Sequence, residues 1–536
     1  MLANTFKWSL LVVLFPLALL LSGCMVGPDF VKPDAQVEEG WLQQHNQKIK
    51  SEPADVSEWW SVFNDPVLDN LIEIASRQNL DLQNAGLRIL EARAQLGIAV
   101  GFQYPQTQQI GGEANANQLS ENAPNGAGAD KFFYNYQFGF DAAWELDFWG
   151  RFRRGIESAN ASLFTTLANY DDILVSLIAE VARTYFDIRT FEQRLVFARE
   201  NVRLQEESLD IAAARFQFGA ESELDVSQAK ALLRQTQATI PPLEASLRQA
   251  KNALAILLGI LPTEVQDILG PPKPIPTAPI EIAVGIPAEL LRRRPDIRLA
   301  EFQAAAQSAQ IGIAKADLYP SFSLVGSIGL QSSDKGGVRS NRANFSDLFT
   351  SGGITYFIGP TFQWPIFNYG RLKNNVRVQD ARFQQLVVNY QNTVLQAFQD
   401  VEDATVGFLR TQEQTEFLSD SVEQYRRSAE LSLIQYSEGL TTYQRVIDSQ
   451  RNLAQQEDTF ASAKGSVGTN LIALYKALGG GWELRLGKDF IPEQTKEEMR
   501  QRTDWGNLLP PEDLPQDREE RPPTGQAVKV FYRPDF

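Results

Sequence analysis

Few residues in this chain are of the types that catalyse reactions or bind metals. Among 536 residues there are one histidine, one cysteine and three methionines. His45 lies in a segment rich in glutamine and proline, and a single histidine supplies neither a catalytic triad base nor a metal cluster. The methionines Met1, Met25 and Met499 give no pathway for a soft metal. We therefore expect neither an enzyme nor a bound metal.

Phosphate and nucleic-acid chemistry are also disfavoured. Gly479-Gly480-Gly481 ends a predicted helix, whereas a phosphate-binding glycine loop opens one. The formal net charge is −16, and no basic segment is concentrated enough to follow a phosphate backbone. The acidic excess suits either the solubility of a large wetted surface or an acidic conduit that favours cations. We expect no nucleic-acid partner.

The single cysteine points to lipid chemistry. It follows an apolar run, Trp8–Leu21, that is too short and too early for a membrane span, so we interpret residues 1–23 as an export signal. Leu21-Ser-Gly-Cys24 resembles the lipobox of bacterial lipoproteins, in which a signal peptidase cuts before a cysteine that is then diacylated. With Met25 next, the resemblance implies sorting to the outer membrane, where lipid chains add anchoring. We expect a covalent lipid on Cys24 and no other cofactor, the alternative being an ordinary buried cysteine.

One stretch, residues 133–218, shows how the regular elements are built. From Tyr134 to Phe148 the even positions are mostly apolar and many odd ones are polar, which predicts a long strand with one apolar face. After Gly150 the apolar residues recur every three or four positions, as in coiled coils. Neither proline nor glycine interrupts residues 156–218. A continuous helix here would extend for roughly 100 Å.

The same pattern returns in the second part of the chain. Tyr104-Pro105 is answered by Tyr319-Pro320, and Trp149-Gly150-Arg151 by Tyr369-Gly370-Arg371, at a nearly constant offset. Such an offset predicts an internal duplication.

We divide the chain accordingly. A lipid-bearing segment, residues 24–66, is expected on the outside of the body; a proline-rich linker at 260–287 joins the halves 67–259 and 288–480. Residues 481–536 form a C-terminal segment with a mobile, charged tail from Lys488. Each half should contain a β-hairpin, a long helix and a second helix, at 106–148, 150–218 and 224–258 in the first half and at 321–367, 370–437 and 441–478 in the second. Pro241-Pro242 predicts a break in the helix 224–258.

Four amphipathic strands with aromatic outer faces cannot bury themselves within one subunit. In an outer membrane, closure into a barrel satisfies every strand edge. One chain has too few strands, and cyclic symmetry supplies the rest, since three copies give twelve. A soluble sandwich is the alternative, but the expected lipid anchor and the lack of further strands disfavour it.

Five motifs follow one another along the chain: Cys24–Pro33, Trp59–Pro66, Arg294–Ile297, Leu318–Pro320 and Tyr475–Trp482. In this order they resemble the TolC-type outer membrane efflux factors, specifically the lipoprotein branch with NodT and OprM-like proteins. The resemblance implies an α+β membrane protein: a trimer with a twelve-stranded outer membrane barrel, a twelve-helix periplasmic tunnel and an equatorial belt. It also implies the exit duct of a tripartite pump, which docks to a periplasmic adaptor and an inner-membrane RND-type transporter and catalyses no reaction.

The resemblance implies a gate where the helical hairpin tips converge at the periplasmic end. Asp225 in the first tip and Asp448 in the second match acidic gate positions, and Tyr443 lies in the same region. Three symmetric copies of each aspartate would repel one another and attract cations. Arg445 replaces a residue that is acidic in some relatives, and a ring of arginines could pair with Asp448.

Simpler roles are also open for the tip residues. The aspartates could lie on a solvated helix face or cap a helix. Gly219 and Gly439 are expected to serve the turns themselves.

Two other functions stay open. A structural envelope protein could tether two layers through a lipid anchor and a coiled coil, although such a tether needs no amphipathic hairpins. Alternatively, the duct could export proteins or metal ions. The few methionines disfavour copper or silver as a bound cargo without excluding passive passage.

Overall fold

The structure, a computed structural model, describes residues 25–36, 40–43, 46–50, 56–122, 130–285, 287, 293–335 and 344–509. The expected export signal, Cys24, His45 and the chain from residue 510 onwards lie outside the described residues.

Helices dominate the described chain. In chain order they are α1 (Pro66–Gln78), α2 (Leu80–Gly101), α3 (Arg151–Gln217), α4 (Glu223–Gln237), α5 (Ile240–Leu258), α6 (Val265–Leu269), α7 (Pro295–Ala316), α8 (Arg371–Ser437), α9 (Tyr443–Ala477) and α10 (Glu493–Arg502). The two long helices, α3 and α8, have 67 residues each. At 1.5 Å per residue each extends for roughly 100 Å.

The two halves differ in their second long element. In the first half it is divided into α4 and α5, which are separated at Ala238 and Thr239. Pro241 and Pro242 lie in the first turn of α5, where a missing N–H leaves no hydrogen bond unmade. The predicted break is therefore present, whereas the counterpart α9, without proline, continues over 35 residues.

The strands form two sheets. They are β1 (Ile49–Lys50), β2 (Thr107–Gln118), β3 (Phe132–Leu146), β4 (Ile282–Ala283), β5 (Ser321–Ser333) and β6 (Ile354–Gln363). β1 and β4 make a short parallel pair, and the other four form an antiparallel sheet in the order β2-β3-β5-β6. The two hairpins meet at β3 and β5, where Phe138 lies opposite Leu330. β2 and β6 are the edges of this sheet.

The other described residues do not cover the four-stranded sheet. Phe138 is 50% exposed and Ile358 is 73% exposed. Apolar side chains at such exposure mark a surface that faces something other than water. None of the helices formed by the described residues is at once long enough and apolar enough to cross a membrane.

The main hydrophobic core lies where α1, α2, α3, α5 and α9 meet. Trp59 and Trp60 are buried in it, and the Trp59 ring stacks on Tyr475 with ring centroids 5.3 Å apart. Residues 24–66 are predicted to pack on the outside of the body, and for Trp59 and Trp60 this prediction is wrong. Two adjacent tryptophans carry a large apolar area, and its burial stabilises their insertion between helices.

Two segments are more ordered than predicted. The linker 260–287 contains α6 and β4. The tail, predicted to be mobile from Lys488, continues through α10 to residue 509. Phe490 packs edge-on against Tyr170 with centroids 5.1 Å apart, and Lys496 is 2% exposed and paired with Asp489 at 2.5 Å. A few apolar residues fix this otherwise charged helix, so the prediction is wrong for residues 488–509.

Candidate functional site at the helical hairpin tips

The two helical hairpins turn in the same way. Gly219 and Gly439 have φ angles of 71° and 76°. The N–H groups of Ala220 and Leu440 each donate to a carbonyl in the last turn of the preceding helix, Arg215 O and Gln435 O, at 2.8 Å. This is the hydrogen-bond pattern that a left-handed residue allows at a helix end. A Cβ at Gly219 would meet nothing within 4 Å, so the backbone conformation and not crowding requires glycine there.

Arg215 joins the two tips within one chain. Its Nη1 donates to Tyr436 O at 3.0 Å and to Ser437 O at 3.2 Å, at the end of α8. The guanidinium lies 5.0 Å from the centre of the Tyr436 ring and 3.3 Å from Glu221. Sequence reasoning missed Arg215, Glu221 and Tyr436. The only signal was an arginine in the last turn of a helix, where cations are favoured.

Tyr443 lies inside the protomer. It is 1% exposed, its hydroxyl lies 2.8 Å from that of Ser208 on α3, and its ring is 5.0 Å from that of Tyr436. Burial raises the pKa of Tyr443, and burial together with the nearby Glu221 raises the pKa of Tyr436 to about 12. Both hydroxyls therefore stay protonated at neutral pH. Within one chain Tyr443 fastens α9 to α3.

Asp225, the first predicted gate aspartate, belongs to the same contact network. Asp225 lies half-buried in the first turn of α4, and its carboxylate accepts a hydrogen bond from the Ser222 hydroxyl at 3.2 Å. Burial, followed by the hydrogen bond and charge of Asp225, raises the pKa of Glu221, while Arg215 opposes that shift. Glu221 thus interacts with the Asp225 carboxylate on one side and with the Arg215 guanidinium on the other.

Asp448, the second predicted gate aspartate, has other neighbours. Asp448 is exposed on α9, accepts a hydrogen bond from the Gln444 amide at 2.9 Å and lies 3.7 Å from Arg451. Arg445 is exposed as well. Among the ion pairs of the described chain, Arg451 rather than Arg445 contacts Asp448. The expected pairing with Arg445 is thus not made within one protomer.

Above the tips, buried polar contacts join the two halves along α3 and α9. Glu457, 2% exposed, accepts hydrogen bonds from Asn201 at 2.7 Å and from Arg426 at 2.5 Å. About two turns further from the tip on α3, the partly exposed Arg194 forms a forked pair with Asp458 at 2.7 and 3.0 Å. Polar pairs between two packed helices, above all the buried contact of Glu457, help to fix the register of the helices.

The sequence of this chain matches that of a known protein family. The family model described as "Outer membrane efflux protein" matches residues 71–260 and 286–480. The chain belongs to the outer membrane efflux protein family. The two matched ranges correspond to the two halves on either side of the proline-rich linker.

Individual members of the family are similar along nearly their whole length. The pyoverdine export outer membrane protein OpmQ of Pseudomonas putida is 32% identical, over 88% of this chain and 97% of its own. A probable outer membrane lipoprotein of Salmonella typhimurium, SilC, is 30% identical, over 86% and 97%. The structure of the outer-membrane channel OprN has a TM-score of 0.79 at 32% identity and covers 86% of this chain and 100% of its own. The chain is thus an outer membrane efflux protein with the fold of these channels.

Proposed function

We propose that this chain forms the exit duct of a tripartite efflux pump, which passes drugs or other small molecules across the periplasm and the outer membrane. The observation that carries the proposal is one uncovered antiparallel sheet joined directly to two helices of 67 residues whose hairpins turn at their far ends. The sheet suits a membrane, and the helices reach away from it. Similarity to OpmQ and OprN supports transport as the function. The duct itself catalyses no reaction, and an inner-membrane RND-type transporter supplies the energy.

The working form in this proposal is a homotrimer. The edges β2 and β6 lack a neighbour among the described strands, and three copies would pair them into a closed barrel of twelve strands. α8 carries an exposed apolar stripe at intervals of seven and eleven residues, which places its members on one helix face: Val388, Leu395, Val406 and Phe417. A second copy is the occupant that covers this stripe and completes the helical tunnel.

The tips provide the gate and the docking point in this proposal. Asp225 and Asp448, repeated by symmetry, line the mouth, and the Arg215 contacts keep the two tips of each chain together. Beside the turns, Phe218, Leu224 and Leu440 are 87%, 63% and 77% exposed. Apolar side chains at such exposed turns suit the apolar tip of a periplasmic adaptor's helical hairpin.

Dye accumulation tests this function in cells. Deleting the gene should raise accumulation of a panel of fluorescent dyes and antibiotics, and restoring the wild-type chain should lower it. Phe218→Asp with Leu440→Asp should reach the outer membrane but fail to lower accumulation, because it places charges where the adaptor docks. Leu261→Asp, at a 65% exposed residue of the linker, is the matched control and should restore export. Unchanged accumulation on deletion, together with a weakened envelope, would favour a tether instead.

A further inference from the structure

The first described residues of the mature chain follow a fixed path. Residues 25–36, here called the N-terminal strap, begin beside the sheet, where the Val26 N–H donates to Trp149 O at 3.0 Å. Phe30 then packs in a small core with Ala161 of α3 and Ala304 of α7. Lys32 pairs with the buried Glu301 at 2.5 Å. The strap therefore runs from the junction of sheet and helices along the groove between α3 and α7.

A buried arginine holds the upper end of the strap. Arg154, on the first turn of α3, is 1% exposed. Its Nε donates to Val26 O at 3.2 Å, and Nη2 donates to Gly27 O at 3.3 Å and to Asp29 at 2.8 Å. The remaining nitrogen, Nη1, donates to Glu157 at 2.7 Å. Every guanidinium nitrogen is thus engaged, and three of these four contacts are to the strap.

The fit depends on close backbone approach. Gly27 has a φ of 99°, and a Cβ there would lie 2.5 Å from the Cα of Gly312 on α7. A Cβ on Gly312 would in turn lie 2.8 Å from Cγ of Arg154. Both distances are too short for a real contact, so glycine at both positions lets the strap, α3 and α7 meet around one arginine. Apolar contacts alone would suffice to cover a helix, so the buried arginine and the two glycines indicate a more specific role for this site.

We propose that Arg154 positions the lipid anchor of this protein. By holding residues 26–29, it keeps Met25 against Gly150, at the end of the sheet where α3 begins. A lipid on Cys24, the residue before Met25, would then enter the membrane leaflet beside the barrel. The inference rests on the expected lipidation of Cys24 and on the barrel of the proposed function.

The contacts of Arg154 with Val26, Gly27 and Asp29, here called the latch, limit the movement of the strap. Without Arg154, a single backbone hydrogen bond, from Val26 N–H to Trp149 O, would hold the strap ahead of Phe30. If that bond also opened, the five residues from Met25 could extend roughly 17 Å. That is about half of the roughly 30 Å hydrocarbon thickness of a bilayer. The latch thus holds the start of the strap at a fixed position. It therefore limits the distance that the acyl chains can move from the barrel wall.

A single spin label tests the latch in the full-length protein. Because Cys24 is the one cysteine of the chain and is acylated, Pro28→Cys provides a single free thiol at an exposed strap position. In trimers purified from the outer membrane, the label should be strongly immobilised. Arg154→Ala and Gly27→Ala should shorten its rotational correlation time about tenfold, into the range of mobile segments. Arg154→Lys, which keeps the charge but loses the fork, should give an intermediate value.

The matched control is Arg151→Ala, one turn earlier on the same helix. Arg151 is half-exposed and its ion pairs, to Glu145 and Asp317, are at 3.5 Å. This variant should leave the label immobile. An equally immobile label in both Arg154→Ala and Gly27→Ala would overturn the latch. If Arg154→Ala does not reach the outer membrane, Gly27→Ala decides alone, since it leaves the guanidinium in place.

Metabolic labelling with an alkyne-bearing palmitate separates the latch from the lipidation on which it depends. Incorporation should be the same in the wild type, in Arg154→Ala and in Gly27→Ala, and absent in Cys24→Ala. Failure to label the wild type would overturn the lipid anchor, and with it the role of Arg154 in positioning that anchor. Normal labelling with an unchanged strap would overturn the latch alone.

Discussion

At the scale of residues, the candidate gate contains hydrogen bonds to backbone carbonyls as well as acidic side chains. Asp225 and Asp448 are predicted from the sequence because they match acidic gate positions of the family that it resembles. The contacts that join the tips come from Arg215, which reaches two carbonyls at the end of α8. Every residue has a main-chain carbonyl, so the residue type of the acceptor does not show that it accepts such a hydrogen bond. Sequence patterns therefore could not pair these residues.

Arg215→Ala should loosen the tips. The variant removes the donor of two hydrogen bonds from a charged group, each worth about 1.5 to 3 kcal/mol, and leaves Glu221 and Asp225 to repel each other without a cation. We expect a higher single-channel conductance in planar bilayers. Arg427→Ala is the matched control, because Arg427 is an exposed arginine of α8 whose ion pair among the described residues is with Glu430 on the same helix. Equal conductance in the wild type and Arg215→Ala would remove this residue from the gate.

At the scale of elements, the regular patterns predicted the long helices and strands well. α3 and α8 lie within a residue or so of the predicted ranges 150–218 and 370–437, because the spacing of apolar residues is uninterrupted and glycine marks both ends. α10 could not be predicted in the same way. Its residues are mainly charged, and its position is fixed by a few tertiary contacts, such as Phe490 on Tyr170.

The approach of α9 to α3 is an element-scale feature that glycine makes possible. A Cβ at Gly468 would lie 2.0 Å from the Phe186 ring, and one at Gly465 would lie 2.1 Å from the Thr190 hydroxyl. Since both helices are long, a shift at this crossing would move every contact between it and the tips.

Gly468→Ala should therefore destabilise the protein despite the better helix propensity of alanine. Overpacking of this kind costs about 1 to 3 kcal/mol, which thermal unfolding of the purified protein followed by circular dichroism would register as a lower midpoint. Gly155→Ala, on α3, is the control, because a Cβ there meets nothing within 4 Å. It should be neutral or stabilising by up to about 1 kcal/mol. A midpoint that Gly468→Ala leaves unchanged would contradict the close crossing.

At the scale of the whole molecule, a single chain exposes strand edges and apolar surfaces that the described residues do not cover. The sheet has two edges and an apolar face, and the exposed stripe on α8 continues the same problem along the helices. The alternating strand pattern predicted the exposed sheet. Alternation gives each strand an apolar, aromatic face, and the sequence predicts no second sheet in the same chain to cover that face. The α8 stripe could not be recognised from the sequence, since its apolar spacing is the same as that of a buried helix face.

The stripe gives a direct test of self-association. Leu395→Asp combined with Phe417→Asp places two charges on a face that is 59% and 68% exposed at these residues in the single chain. If a second copy covers this face, the charges would be desolvated without partners, at a cost of several kcal/mol each. Native mass spectrometry in detergent should then show monomers in place of trimers. Leu261→Asp adds a charge at an exposed apolar residue of the linker and should leave the trimer intact. Trimers that persist in the double variant would mean that the stripe faces the lumen or another partner and that the barrel strands alone hold the copies together.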